Sequence, residues 1–220
     1  MNGKLIVLEG TDASGKSTQF ARLCETLDAR GVEYRRLVFP QYDQPSSALI
    51  RMYLGGEFGS KPEDVSAYAA STFFAVDRYA SFKKDWGEYY RSGGLILADR
   101  YTTSNAVHQA AKLPASEKDA YLNWLFDFEY RIMGLPKPDA VFFLDMPPQA
   151  VRDLLAHRVG KTEDIHEKDA DYLEQCYLTA SSLAEQFKWK RIQCVKNQKL
   201  RTIEDIAGEI LSDVLNLIAL

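Results

Sequence analysis

The sequence predicts a three-layer α/β fold, about five parallel strands with helices on both faces, and three observations carry this. Short apolar runs alternate with long helical patterns, the order that βα units impose on a parallel sheet. The first run, Leu5-Ile6-Val7-Leu8, enters a glycine-bracketed loop, Gly10-Thr11-Asp12-Ala13-Ser14-Gly15-Lys16-Ser17-Thr18. A helical pattern then leaves that loop from Ser17 to Arg30, with Phe20, Leu23, Cys24 and Leu27 spaced to share one face.

In order, the strands read as Lys4–Glu9, Tyr34–Phe39, Leu95–Asp99, Ala140–Asp145 and Arg191–Val195. Helices fill the gaps over 16–30, 46–54, 63–91, 117–133, 148–158, 168–188 and 202–218. Pro45, Pro62 and Pro147-Pro148 stand at first turns, where a missing N–H costs nothing, and Gly93-Gly94 ends the long helix. The segment Val159–Asp171 is polar, carries both signs and has weak periodicity, which suits either an inert surface loop or a mobile lid over bound phosphates, with the lid expected. At 220 residues and 46% hydrophobic content, a single domain over 1–220 is expected.

Composition narrows the function. A net charge of −4 and a pI near 5.5 offer no broad basic surface, so no nucleic-acid partner is expected. No apolar run approaches ~18 residues, so no membrane association is expected, and the first run stops at Glu9, too early for a signal peptide. Three widely spaced cysteines (Cys24, Cys176, Cys194) read as incidental thiols of a reducing compartment. The expectation is a soluble, cytoplasmic protein.

The loop fits G-x-x-x-x-G-K-[ST], the phosphate-cradling P-loop. Gly10 and Gly15 let the backbone wrap an anion, and successive N–H groups at a helix N-terminus then point at phosphate oxygens. Lys16 adds a cation, and the Ser17 hydroxyl is a candidate Mg²⁺ ligand. The nucleotide-binding set is Gly10, Thr11, Asp12, Ala13, Ser14, Gly15, Lys16, Ser17 and Thr18. No N-K-x-D follows the fourth strand, which argues against a GTPase. At the end of the third strand stands Asp99-Arg100-Tyr101, where open α/β sheets bind ligands. Asp99 suits the Mg²⁺ water shell, and the planar fork of Arg100 suits a phosphate.

Taken together these residues resemble the thymidylate kinases, which pair an E-G-x-D-x-x-G-K-S-T loop with an F-P turn, an aromatic–x–x–x–Arg stretch and D-R-[YHF]-x-x-S. The chain has Glu9-Gly10-Thr11-Asp12 through Thr18, Phe39-Pro40, Phe74-Ala75-Val76-Asp77-Arg78, Asp99-Arg100-Tyr101-Thr102-Thr103-Ser104 with Gln109, and Leu144-Asp145-Met146-Pro147-Pro148. The resemblance runs from Leu5 to about Arg158 and implies a P-loop kinase fold with a short lid. It implies that ATP, with Mg²⁺ held by Ser17 and Asp99, phosphorylates dTMP, and that the chain is a homodimer. It assigns Phe74 to the pyrimidine face and Arg78 and Arg100 to the monophosphate. Ser104 and Gln109 go to the base edge, Asp12 to the sugar between donor and acceptor, and Phe39 to the acceptor wall. The catalytic set becomes Asp12, Lys16, Asp99, Arg100 and Arg158.

The chain also departs from that pattern. Tyr42 follows Phe39-Pro40 where the family favours an arginine, with Arg51 as a replacement cation. Ala13 stands where some members carry a P-loop arginine, and the lid pattern D-R-x-E appears as Asp164-Ile165-His166-Glu167. Transition-state charge still needs a cation, for which Arg158 is the first candidate, ahead of Lys161 and Lys168. His108 stands where the family favours Tyr or Phe near the base. Two further readings stay open: a kinase for another deoxynucleotide or a deoxynucleoside, and a non-catalytic P-loop nucleotide-binding protein.

Overall fold

The computed structural model describes residues 3–156, 165–166 and 169–218. Its central sheet is parallel throughout, in the order β2-β3-β1-β4-β5. The strands are β1 (Lys4–Glu9), β2 (Arg35–Val38), β3 (Leu95–Asp99), β4 (Ala140–Asp145) and β5 (Lys190–Gln193). β1 lies in the middle and its side chains alternate. Leu5 and Val7 join Phe82, Trp86 and Tyr90 in one core. Ile6 and Leu8 join the opposite core with Phe20, Leu23 and Leu27 of α1 (Lys16–Ala29) and Ile206, Ile210 and Val214 of α9 (Ile203–Ile218). Burial on both faces is why this strand reads as an unbroken apolar run.

The remaining helices are α2 (Ala48–Leu54), α3 (Ala67–Ser81), α4 (Gly87–Arg91), α5 (Thr102–His108), α6 (Ala115–Phe126), α7 (Pro148–Ala156) and α8 (Ala170–Gln186). Three differences from the sequence reading have local causes. The helix expected over 63–91 opens with a 3₁₀ turn at Pro62–Asp64, and a π turn at Phe82–Trp86 separates α3 from α4. In that wide turn a Cβ on Gly87 would lie 2.4 Å from the Phe82 carbonyl oxygen. The helix expected over 117–133 likewise widens into a π turn at Asp127–Ile132. The strand expected to reach Val195 stops at Gln193. A hairpin of β6 (Val195–Lys196) and β7 (Lys199–Leu200) follows, turning through Asn197 and Gln198, both at positive φ.

A fourth difference, with a long-range cause, matters most for the site. α5 was not expected, because Thr102-Thr103-Ser104 is a hydroxyl-rich start with modest helix propensity. It forms because Glu9 accepts the Thr103 and Ser104 hydroxyls at 2.7 and 2.8 Å. A second buried carboxylate ties α5 to α3 and the π turn. Glu129 takes Arg78 as a two-pronged pair, Nε–Oε2 2.7 Å and Nη2–Oε1 2.5 Å, and also accepts from the Thr102 hydroxyl at 2.7 Å and the Asn105 amide at 3.2 Å. Burial opposes the Arg78 charge, and the Glu129 carboxylate outweighs it and raises the guanidinium above its usual range.

Removing one member of such a pair strands a buried charge. Glu129→Ala is therefore expected to lower unfolding free energy by about 3–5 kcal/mol, read as the shift in a urea midpoint. An unchanged midpoint would show that the pair does not hold these helices.

Candidate active site

The end of β1 and the start of α1 build a phosphate cradle from backbone. A Cβ on Gly10 would meet Ser14 Oγ at 2.6 Å, so any larger residue would have to displace that hydroxyl for the loop to close. Gly15 holds φ +81° as the residue before α1 and Ala13 also lies in the left-handed region at +57°. The Ser14 N–H closes the turn onto the Thr11 carbonyl at 3.2 Å. No side chain caps the α1 N-terminus, which leaves its first amides to serve an anion. Lys16 is buried beside Asp99, Nζ to Oδ1 3.5 Å; Ser17 and Thr18 are exposed to the cleft. Burial and the Arg100 charge pull the Lys16 ammonium below its usual range, against the raising pull of Asp99, Asp12 and Glu9.

Asp99 ends β3 in register with Leu8 of β1, so the loops after both strands converge. Arg100 takes φ +68°, uncommon for a residue with a side chain, and its N–H bonds the Leu8 carbonyl at 3.1 Å. This turn swings its guanidinium back toward the P-loop. There Nη2 pairs with Asp12, while Nη1 donates to His108 Nε2 at 3.1 Å, with Ser104 Oγ at 3.5 Å and Glu9 Oε1 at 3.8 Å. Burial alone would raise the Asp12 carboxyl; the surrounding cations, Arg100 first, outweigh it and hold it well below the usual carboxylate range. Burial likewise opposes the Arg100 charge, and Asp12, Glu9 and Asp99 outweigh it upward.

Two cavities meet at this pair. The first, about 1250 Å³, is walled by the P-loop with Lys16, Ser17, Thr18 and Asp99. The second, about 530 Å³, is walled by Phe74, Arg78, Tyr101, Ser104, His108 and Gln109 among others. Asp12, Phe39, Pro40, Tyr42 and Arg100 line both. Phe74 is half-buried, its ring edge-on to Tyr53 at 6.4 Å. Gln109 is 1% exposed and its Oε1 has no partner among the described residues, an acceptor suited to an N–H in that cavity. Arg78 lines the wall with its Nε and Nη2 edge already on Glu129. Arg51 lines neither cavity; its Nη1 donates to the Tyr42 carbonyl and the Ser47 hydroxyl, both at 2.6 Å, and so folds the loop before α2. Arg158, Lys161 and Lys168 lie outside the described residues. Among the described residues no three His, Cys, Asp or Glu side chains form a metal cage. The oxygen donors Ser17 and Asp99 at the cradle suit a Mg²⁺ that takes its other ligands from phosphates and water.

The sequence reading passed over three residues here. Glu9 stood inside the quoted motif without a role. Glu129 was detectable as a charge at helical spacing from Tyr121 and Leu125, both buried. His166, in the expected lid segment, lines the second cavity. Its Nε2 lies 2.8 Å from the Tyr53 hydroxyl, which accepts from Lys112 Nζ at 2.7 Å. Its ring stacks on His108, centroids 5.9 Å apart and planes 9° apart. Neighbouring Ile165 is buried against Tyr53 and Ala70.

Burial pulls both imidazoles from 6.5 down to about 3, against the attraction of Asp12; the charges of Arg100 and Lys16 add to the fall at His108, those of Lys112 and Arg100 at His166. Both are neutral at physiological pH. Between pH 6.5 and 3 the unfolded chain takes up protons at these rings that the folded chain refuses. Stability therefore rises with pH through that window and is lost as pH falls. From pH 6.5 to 5, above the carboxylate range, the loss is expected to reach up to about 1.4 kcal/mol per pH unit for each proton. Chemical unfolding at stepped pH measures it. An H108F/H166F variant with the same slope would assign the effect elsewhere.

Comparison with known proteins now gives these features a lineage. The thymidylate kinase family model matches residues 8–206. Thymidylate kinase of Mycobacterium tuberculosis is 32% identical over 187 residues, covering 83% of this chain and 86% of its own. Thymidylate kinase of Plasmodium falciparum is 29% identical over 212 residues, 96% and 90%. The solved structure of thymidylate kinase from Candida albicans superposes with a TM-score of 0.73 at 21% identity, covering 98% of this chain and 92% of that one, and so shares the fold. With its phosphate loop, its Asp-Arg pair at the end of β3 and a match over residues 8–206, the chain belongs to the thymidylate kinase family.

Proposed function

We infer that this chain is an ATP:dTMP phosphotransferase, making dTDP. The observation that carries the reading is the pair of cavities joined at Asp12 and Arg100, one walled by a phosphate loop and the other by an aromatic face and an unsatisfied amide oxygen. ATP takes the first with its phosphates on the backbone amides of residues 10–18, and Lys16 against the outer phosphates. dTMP takes the second. Phe74 packs against the pyrimidine, since an aromatic face supplies dispersion without reading base edges. Gln109 Oε1 accepts the ring N–H and Ser104 lies beside the base edge, with Phe39 completing the wall. The fork of Arg100 grips the monophosphate, exchanging part of its contact with Asp12. Arg78, held by Glu129, presents its remaining donors from the opposite wall, and Asp12 turns to the sugar hydroxyl between the two nucleotides.

Transfer then needs alignment and charge neutralisation more than covalent help. An oxygen of the acceptor phosphate forms a bond to the γ-phosphorus as the bond to the β,γ-bridging oxygen breaks, and ADP leaves with that electron pair. Ser17, and Asp99 through water, would hold a Mg²⁺, which would supply positive charge against the phosphates. Lys16 and Arg100 follow the charge as it shifts. Arg158 supplies the further cation that Ala13 cannot, from the head of a lid over 159–171 in one kinase domain spanning 1–220.

We also propose that the protein is a cytoplasmic homodimer that takes nucleotides as its substrates and binds neither nucleic acid nor membrane. Tyr68, Val76 and Tyr79 on α3 are 39%, 48% and 38% exposed and fall on one helical face. Cys24, Cys176 and Cys194 are buried free thiols. No helix among the described residues is long and apolar enough to cross a membrane.

ADP release with ATP·Mg²⁺ against dTMP, dUMP, dCMP, dGMP, thymidine and deoxycytidine tests the activity. dTMP is expected to be fastest. Faster turnover of thymidine, or none with any acceptor, would overturn the reading. In the same assay Arg158→Ala is expected to lower kcat by roughly 10³-fold, the effect of losing a transition-state arginine; unchanged turnover would give that role to another cation. Sedimentation velocity is expected to return twice the 24.9 kDa chain mass, and Val76→Glu to return the chain mass alone. A wild-type monomer would refute the dimer.

A further inference from the structure

We infer that His108 and His166 are positioning residues for Arg100, setting the plane of its guanidinium for phosphoryl transfer; this rests on the kinase reading of the site. Arg100 is always protonated, so its Nη1 must be the donor in the 3.1 Å contact with His108 Nε2. That fixes His108 as the neutral tautomer with its proton on Nδ1, facing Cys176 Sγ at 3.5 Å. The other acceptors near Nη1 are loose, Ser104 Oγ at 3.5 Å and Glu9 Oε1 at 3.8 Å. Without the imidazole the fork would be held at Nη2 by Asp12 and free to pivot about that contact.

The His108 ring is itself clamped. Its backbone carbonyl accepts from the Tyr172 hydroxyl at 2.7 Å, Cys176 sits on its far nitrogen, and His166 stacks on its face. His166 in turn is braced by Tyr53, whose hydroxyl accepts from Lys112 Nζ and lies 2.8 Å from His166 Nε2. A run of directed contacts thus links Lys112, Tyr53, His166, His108, Arg100 and Asp12, from the rear of the acceptor cavity to the P-loop. Both imidazoles are buried and line the acceptor cavity with Arg100. A tyrosine or phenylalanine ring at position 108 would fill the space and keep the stacking but offer no ring nitrogen to Nη1. The acceptor atom is what this chain adds.

Steady-state kinetics on the wild type, H108F, H108Q and H166F separate this from a packing role. With dTMP and ATP·Mg²⁺, H108F is expected to lose about tenfold in kcat, the scale of effect from misaligning a catalytic cation, and to raise the KM for dTMP but not for ATP. H108Q, whose amide oxygen can accept from Nη1, recovers most of the loss. H166F keeps the stack but not the Tyr53 contact, and shifts the same constants in the same direction to a smaller extent. Wild-type behaviour of H108F, no recovery in H108Q, or a fall in kcat with both KM values unchanged would overturn the inference. Failure of the wild type to turn over dTMP would count against the function instead. In that case ¹⁵N NMR of the arginine side chains still decides the positioning claim. Arg100 Nη signals resolved by slow rotation in the wild type should collapse in H108F and return in H108Q; resolved signals in H108F would refute it.

Discussion

The buried carboxylate of Glu9 is the interaction on which the rest of this site depends. It sits at the last position of the central strand with no solvent exposure. One oxygen takes the Gly10 N–H at 3.0 Å and so sets the first turn of the phosphate loop. The other takes two hydroxyls from the first turn of α5. A buried acceptor with its partners in place costs little, and one left empty costs much. Glu9 therefore ties the phosphate loop and the wall of the second cavity to each other, and sits 3.8 Å from the arginine that lines both cavities.

From that anchor the electrostatics follow. Parallel strands β1 and β3 deliver Glu9 and Asp99 to neighbouring ends of the sheet, and two carboxylates so close in a low-dielectric setting need cations between them. Lys16 comes from α1, and Arg100 comes from the residue after β3, through a left-handed backbone conformation that a straight continuation of the strand would not give. The strain at Arg100 is repaid by carboxylate contacts on its fork. Such an arrangement is assembled without any substrate present, and charges already in place are what electrostatic stabilisation of a transition state requires.

How much of this could be read from sequence differed by element. The P-loop, the strand-end Asp99-Arg100 and the alternating βα order were legible because each has a local signature: tight glycine turns, a charge at a strand end, short apolar runs buried on both faces. All five sheet strands stand where expected, β2 and β5 with shorter spans. α5 was not legible, since its stability comes from Glu9, 94 residues away from Thr103. The π turns were not legible because an i to i+5 bond leaves no 3.6-residue signature, though Gly87 marked one of them. Arg78 could be placed on the cleft by its spacing from Phe74, but its partner Glu129 could not, because pairing across 51 residues is a property of how α3 packs beside the turn after α6. His166 was hidden in a polar stretch whose periodicity carries no information about the cavity it reaches.

Charge balance where the two cavities meet sets a further demand. Around Lys16 and Arg100, two cations, stand Asp12, Asp99 and Glu9, three carboxylates, so this inner set is one unit negative before any phosphate enters. Arg78 adds nothing net, being matched by Glu129. Two nucleotides bring several more negative charges, and phosphoryl transfer concentrates them between the cavities. A divalent cation offsets part of this. The rest falls to residues that the two described loops do not supply: Ala13 ends in a methyl group, Arg51 is engaged with its own loop, and Tyr42 offers a hydroxyl without charge. Arg158, Lys161 and Lys168, the cations proposed to meet that deficit, stand in the sequence on both sides of Ile165-His166. His166 then gains a second meaning. Its ring docks on Tyr53 and His108, so the pair is held at the second cavity without a charged side chain of its own.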